Sequence, residues 1–379
     1  MPASSRPSPS RPLDLGISAF QVRTGRSGSH EPYVRGLLQG LGELRPDASI
    51  TLYLQDPDFD VPESFRALPG ATVEVWSPRD PQRAARLLNE ARLGLTRRHD
   101  ALFFSGSSVA PLSRSPQVVM VHADSRLQPG SYGHGQGVVA GSMLELMRFA
   151  VPRRVLGPTE VYAAHLHRAW GIGRRRLQGV WHGVGDMEAL ADPLDLGAGQ
   201  HIVAVTNAKA HKNLPTLLRA WRDVNAEDPR VQLWLVGVIP PEVVVGALGE
   251  VPAGLHLVGW KHHPDVMRYI GAGDILVFPS EQETFGMPLA EAMAAGTPIV
   301  AADTDVAREV CAEAALLVPP RDASALVAAF RRVLFDAAFA SVLRERGLQR
   351  AESFTWRRSA EATIEAVCEA IGRPVSAST

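Results

Sequence analysis

The sequence predicts an α/β protein made of two doubly wound parallel sheets that face one another across a cleft. Three observations carry that prediction. Short apolar runs recur in the first half at LDLGISAF, ITLYLQ, TVEVW, ALFFSG and VVMVHAD, and a second series follows at IVAVTN, VQLWLVG, LHLVGW, DILVFPS and PIVAAD. Each run is bounded by Gly, Pro, Asp or Ser, with longer stretches of helical spacing between them, the pattern of strands buried on both faces. Between the series lies DMEALADPLDLGAGQ, residues 186–200, a segment rich in Gly, Asp and Ala that reads as a boundary.

In chain order, residues 1–12 (MPASSRPSPSRP) read as a disordered tail, 13–190 as the first Rossmann-like unit and 198–355 as the second, which starts in earnest near His201. LQGVWHGV closes the first unit with a further strand-like run. Residues 356–372 form an amphipathic helix with Ile364, Val367, Cys368 and Ile371 at helical spacing. Its docking place is not encoded in its own sequence.

Composition narrows the class. A chain of 379 residues, 45% hydrophobic and 21% charged, supports two or three domains with cores of their own. The net charge of −1 supplies no field that would draw the protein to nucleic acid. Two cysteines, Cys311 and Cys368, are too few for a disulfide framework or a zinc site of ordinary ligand count. No run has the length of a membrane span and the first residues lack the apolar stretch of a secretory signal, so a cytoplasmic protein is expected. Basic clusters at Arg97-Arg98, Arg153-Arg154 and Arg174-Arg175-Arg176 read either as solvated surface or as peripheral contacts with anionic lipid at the inner membrane face or with a charged acceptor.

In open α/β sheets, ligands bind at the carboxyl ends of the strands, so chemistry is sought in the strand-to-helix loops. The most informative is FPSEQETFGMPLAEAMAAGTPIVAAD, residues 278–303. A strand ends at Phe278-Pro279, and a helix is expected to begin at Pro288, whose fixed φ and missing N–H suit a helix start. Gly286 permits close backbone approach, and Phe285, Gly286, Met287, Pro288 and Leu289 are the candidates for donor binding, the free amides of Phe285 to Leu289 being expected to point into the cleft and hold an anion. Glu283 and Glu291 flank this turn. By themselves they could simply complement the helix dipole; Glu291 could equally accept two hydrogen bonds from a ribose diol.

This segment resembles the signature of retaining glycosyltransferases of family 4, which have the GT-B architecture of two facing Rossmann-like domains. The likeness rests on both Glu positions, the FG-x-P turn between them and the EAMAAGTPIVA that follows, and it extends through LVGWKHHPDVMRYIGAGDILVFPS and REVCAEAALLVPP to FTW at 354–356. It implies that Glu283 contacts the donor sugar or its phosphate and that Glu291 holds the ribose. It further implies that the second unit binds a nucleotide-diphosphate-sugar, that the first faces an acceptor hydroxyl, and that a hexose-type sugar, mannosyl as the first choice, is transferred with retention.

A second element, VTNAKAHKNLPTLLRAW at 205–221, places Lys212 at a loop-helix junction, where an ammonium could neutralise a departing diphosphate. It resembles the family's phosphate-binding KN motif. Many members carry arginine where this chain has Asn207, which leaves Lys209 or His211 to supply the second charge. In the first unit, VVMVHAD resembles the segment whose histidine faces the donor sugar and nominates His122 as a catalytic residue; Ala123 separates it from Asp124, which receives no role. GRSGSHEPYVRGLL occupies the place of the first glycine-rich loop, with Gly25 and Gly28 as candidates for ligand approach.

No metal and no cofactor is expected beyond the donor as co-substrate, because Lys212 and the helix-opening amides are aimed at the charge a metal would neutralise. DPDFD at 56–60 and DTD at 303–305 are the available acidic alternatives. A nucleotide-sugar epimerase, a phosphorylase or a non-catalytic nucleotide-sugar-binding homologue would fit the same architecture.

Overall fold

The computed structural model describes residues 11–25, 30–76, 83–110, 112–124, 149–185 and 192–374. Seven strands form the first sheet: β1 Leu13–Ser18, β2 Ala48–Leu54, β3 Ala71–Val75, β4 Ala101–Phe104, β5 Gln117–Met120, β6 Arg154–Gly157 and β7 Leu177–Gly179, in the order β3-β2-β1-β4-β5-β6-β7. Six form the second: β8 Gln200–Val205, β9 Val231–Val236, β10 Leu255–Gly259, β11 Ile275–Phe278, β12 Ile299–Ala302 and β13 Ala315–Val318, in the order β10-β9-β8-β11-β12-β13. Neighbouring strands pair in parallel throughout. All ten apolar runs become strands. Two strands were not anticipated. β6 has only four residues and begins on the second arginine of the Arg153-Arg154 pair, and β13 continues an alanine-rich stretch whose composition favours helix.

The strand order reverses beside β1 in one sheet and beside β8 in the other. Loops leaving the two strands at such a reversal turn in opposite directions and open a crevice at their carboxyl ends. Loop 206–213 leaves β8 and loop 279–286 leaves β11, so the two segments singled out from the sequence flank the same switch point.

The helices whose bounds lie among the described residues are α1 His30–Leu44, α2 Glu63–Arg66, α3 Arg83–Thr96, α4 Glu160–Trp170, α5 Leu214–Glu227, α6 Pro241–Leu248, α7 His263–Ala272, α8 Met287–Ala295, α9 Asp305–Cys311, α10 Ala323–Phe335, α11 Ala337–Ala351 and α12 Trp356–Ile371. One core of the second unit joins strand residues Ile202, Leu233, Leu235 and Val277 to Leu217, Trp221 and Phe330 of the covering helices.

The last helix crosses back. Ile364, Val367 and Cys368 of α12 are buried in the first unit's core with Leu37 and Leu41 of α1. Trp356 fills a notch that α1 makes with two glycines one turn apart: a β-carbon on Gly36 would lie 1.9 Å from the Trp356 ring, and one on Gly40 2.0 Å from its carbonyl oxygen. Arg153 donates to the Ala370 carbonyl at 3.0 Å and Arg154 pairs with Glu369 at 2.8 Å, so this basic cluster serves the end of α12. Both cysteines are free and buried, and burial pushes the Cys311 thiol up to about 12. Among the described residues no helix is long and apolar enough to cross a membrane.

Candidate active site

A cavity of about 890 Å³ opens between the two units. Thr24, Gly25, Glu31 and Arg35 border it from the first; Asn207, Lys212, Trp260, Met287, Pro288 and Glu291 are among those that border it from the second.

Lys212 ends a tight turn, Ala210–Lys212, that is closed by Asn213 in the left-handed region at φ 51°. This turn aims the side chain at the neighbouring loop, where Nζ forms an ion pair with Glu283 Oε1 and lies 5.5 Å from the centre of the Phe278 ring. Both partners are mostly shielded, the two side chains being 16% and 14% exposed.

Gly286 takes φ 80° and ψ 61°, a conformation other residues adopt only with strain, and it caps α8. The helix therefore starts at Met287, one residue before the expected position, and Pro288 occupies the second place, where a missing N–H is equally harmless. The anion donors need the same correction. Pro288 has no amide and the Leu289 amide donates to the Gly286 carbonyl at 2.8 Å, so those left for a ligand belong to Phe285, Gly286 and Met287. The Phe285 side chain faces the protein: it is 2% exposed, with His182 at 5.0 Å and Phe354 at 5.8 Å between ring centres.

Glu291 is buried, and its Oε1 accepts a 2.7 Å hydrogen bond from His263 Nε2. His263 opens α7 and borders the same cavity, yet nothing in its own motif, KHHPDV, announces a partner in the next helix.

The remaining candidates are distributed unevenly. Asn207 borders the cavity and folds its side chain back to accept the Lys209 amide at 3.0 Å. Lys209 is exposed, and neither it nor His211 borders the cavity. Burial, reinforced by Lys212, lowers the His211 pKa and keeps that ring neutral at neutral pH. His122 donates from Nε2 to the Ser105 carbonyl at 2.9 Å and packs in a ring cluster, 4.6 Å from His30, 4.5 Å from Tyr33 and 5.3 Å from His182. It is not among the residues that border the cavity. Asp124 is fully buried; burial by itself would raise its pKa, but hydrogen bonds from His165, Trp170 and Tyr162 hold the carboxyl well below its usual range. Gly28 lies outside the described residues; Gly25 borders the cavity at φ 67°.

Three of the acidic alternatives, Asp56, Asp60 and Asp303, have protein partners. Asp56 accepts the amides of Thr24 (2.7 Å) and Asp58 (3.0 Å), Asp60 pairs with Arg35 at 2.6 Å, and Asp303 is held by Arg308 at 2.6 and 2.7 Å. Among the described residues no group of three or more His, Cys, Asp or Glu side chains is gathered to hold a metal ion.

At the closed side of the cleft the units are tied directly. Thr159 donates its hydroxyl to the Thr284 carbonyl at 2.9 Å, next to Glu283. The Glu309 carboxylate of α9 accepts the amides of Glu160 (2.9 Å) and Val161 (2.7 Å), which open α4, together with the Trp181 indole N–H at 2.7 Å.

Comparison with known proteins agrees with this fold. Residues 199–336 match the family model described as glycosyl transferases group 1. The chain is 31% identical over 112 residues to O-antigen chain mannosyltransferase B of Escherichia coli, a match covering 30% of this chain and only 29% of that protein. It is 25% identical over 342 residues to the D-inositol 3-phosphate glycosyltransferase of Segniliparus rotundus, covering 80% of this chain and 76% of the relative. Sucrose-phosphate synthase from Thermosynechococcus elongatus superimposes with a TM-score of 0.71 at 20% identity, over 94% of this chain and 99% of that one. Residues 199–336 are thus a glycosyl transferases group 1 domain, carried in a chain with the GT-B fold of two facing Rossmann-like sheets.

Proposed function

We propose that this chain is a retaining glycosyltransferase of family 4 type that moves a hexose-type sugar, mannosyl as first choice, from a nucleotide-diphosphate-sugar to an acceptor hydroxyl. One observation carries the reading: Lys212, Glu291 and the first residues of α8, Met287 and Pro288, border a single cavity between the two sheets, and Glu283, which does not border it, adjoins it as the ion-pair partner of Lys212. In this reading the diphosphate lies against the amides of Phe285 to Met287, with Lys212 neutralising it. Glu283 accepts hydrogen bonds from the sugar, Glu291 from the ribose, and His122 backs the sugar from the first unit.

Departure of the nucleoside diphosphate concentrates negative charge on the β-phosphate, where fixed donors in a water-poor cleft are most effective. The bond between the anomeric carbon and the phosphate oxygen breaks, the acceptor oxygen bonds to that carbon on the same face, and the hydroxyl proton passes to the departing phosphate. With Lys212 and the amides serving the leaving group, the step is metal-independent, so EDTA leaves the rate unchanged; loss of activity restored by a divalent ion would remove this point. If the acceptor is lipid-linked, exposed Arg174 and Arg175 on the first unit are available to anionic headgroups.

The reading is tested by thermal-shift screening against UDP-, GDP- and dTDP-sugars followed by transfer assays on an acceptor panel, since a ligand of the native state raises its stability by mass action. A donor-soaked crystal with the nucleotide remote from residues 283–291 would overturn it.

A further inference from the structure

We infer that His263 is a positioning residue for Glu291, and that the pair makes the cavity select ribonucleoside over 2′-deoxyribonucleoside diphosphates. The inference rests on the reading that Glu291 meets the ribose.

Glu291 stands in the second turn of α8 with only 3% of its surface exposed. A carboxylate so far from water needs donors, and a mobile one could not present a fixed pair of lone pairs to a ligand. His263 supplies a donor to Oε1 at 2.7 Å from the first residue of a different helix. The backbone holding that imidazole is itself constrained, by Pro264 in the second helical position and by the Val266 amide donating to the His262 carbonyl at 3.0 Å. Both side chains border the cavity. With Oε1 tied on one side, rotation of the carboxylate is restrained and Oε2 is left in a set direction. A ribose offers two adjacent hydroxyl donors to such a group; a 2′-deoxyribose offers one and leaves a desolvated oxygen unmatched. Sites built to hydrogen-bond a substrate hydroxyl reject the analogue lacking it far more strongly than apolar pockets reject a missing methylene.

The test is calorimetric binding of UDP, GDP and ADP, each beside its 2′-deoxy counterpart, to the full chain, using the base that binds tightest. The wild type is expected to prefer the ribonucleotide by about tenfold or more, the scale of one hydrogen bond to a charged group. In His263→Ala the preference should fall to within about threefold while affinity for the 2′-deoxy nucleotide holds, and His263→Gln, whose amide can also donate, should restore most of it. A merely structural histidine would weaken both nucleotides alike. An unchanged preference in His263→Ala overturns the inference, as does a wild type without preference. Glu291→Gln separates the two levels: if it retains the wild-type preference, the ribose reading itself fails, whereas if it loses the preference and His263→Ala keeps it, only the role of His263 falls. Thermal unfolding confirms that each variant is folded, and His263→Asn carries the same comparison should the alanine variant not fold.

Discussion

The Lys212 ammonium is ion-paired with the Glu283 carboxylate across two loops that leave the adjacent strands β8 and β11. The lysine side chain is 16% and the glutamate 14% exposed, so the pair is shielded enough for each charge to depend on the other. A diphosphate entering the cavity would compete for the lysine and release Glu283 toward the sugar. Replacing either residue by alanine removes a preorganised group at the developing charge, which elsewhere lowers turnover about a hundredfold or more. Lys212→Ala and Glu283→Ala are each expected to lose that much kcat at saturating donor. Rates near the parent's in both variants would end the site assignment.

How much of this was legible in the sequence depended on whether a signal was local. Runs such as ALFF and ILVF are buried on both faces of a parallel sheet and read directly as strands, and the turn around Gly286 announces itself because glycine and proline fix the backbone there. The start of α8 was misplaced by one residue because a left-handed Gly286 lets Met287, and not Pro288, open the helix. Non-local partners left no trace. The Gly36 and Gly40 notch is a plain helix segment until Trp356 is known to fill it from more than 300 residues away, and the hydrogen bond from His263 to Glu291 ties the signature helix α8 to a helix whose own motif names no partner. Basic Arg153 and Arg154 looked like surface because their partners, Ala370 and Glu369, lie at the far end of the chain.

Gly40→Ala sets two effects against each other. Alanine favours a helix interior over glycine by about 1 kcal/mol. The new methyl group, however, would meet the Trp356 carbonyl oxygen at 2.0 Å, and that neighbour is backbone, which cannot swing aside. Overpacking of this kind costs about 1 to 3 kcal/mol and more where backbone must move, so it should win. A melting temperature several degrees below the parent's is expected; a higher one would mean that α12 does not seat on α1 as described.

Glu309→Ala should weaken the tie between the units. The carboxylate satisfies two otherwise orphaned amides at the start of α4 and the Trp181 indole at once. Hydrogen bonds to a charged group are worth about 1.5 to 3 kcal/mol each and do not add fully, so a loss of about 2 kcal/mol or more is expected in denaturant unfolding. Glu309→Gln, with one acceptor oxygen left, should fall between. If both variants unfold with the parent, the interdomain cap contributes nothing to stability.

Acid stability tests the ring cluster of His30, Tyr33, His122 and His182. Burial, with His30 nearby, lowers His182 to about 3, and burial, with Arg86 nearby, lowers His30 to about 4. The folded state therefore keeps both rings neutral while the unfolded chain protonates them below about 6.5, so stability falls as pH drops from 6.5 toward 4, by about 1.4 kcal/mol per pH unit for each ring. Glu90 works in the opposite sense. Burial lifts its carboxyl to about 7, so the folded state takes up its proton first and gains stability between pH 7 and about 4.5. One ring is thereby offset, and a net loss of about 2 to 3 kcal/mol is expected by pH 4.5. His182→Phe should flatten this dependence, since His182 Nδ1 has no hydrogen-bond partner among the described residues and the ring lies among Tyr33, Phe285 and Trp356. Glu90→Gln should steepen it by removing the counterweight. Urea unfolding of the three proteins from pH 7.5 to 4.5 checks both signs together; parallel curves would show that neither group is buried in the protonation state assigned to it.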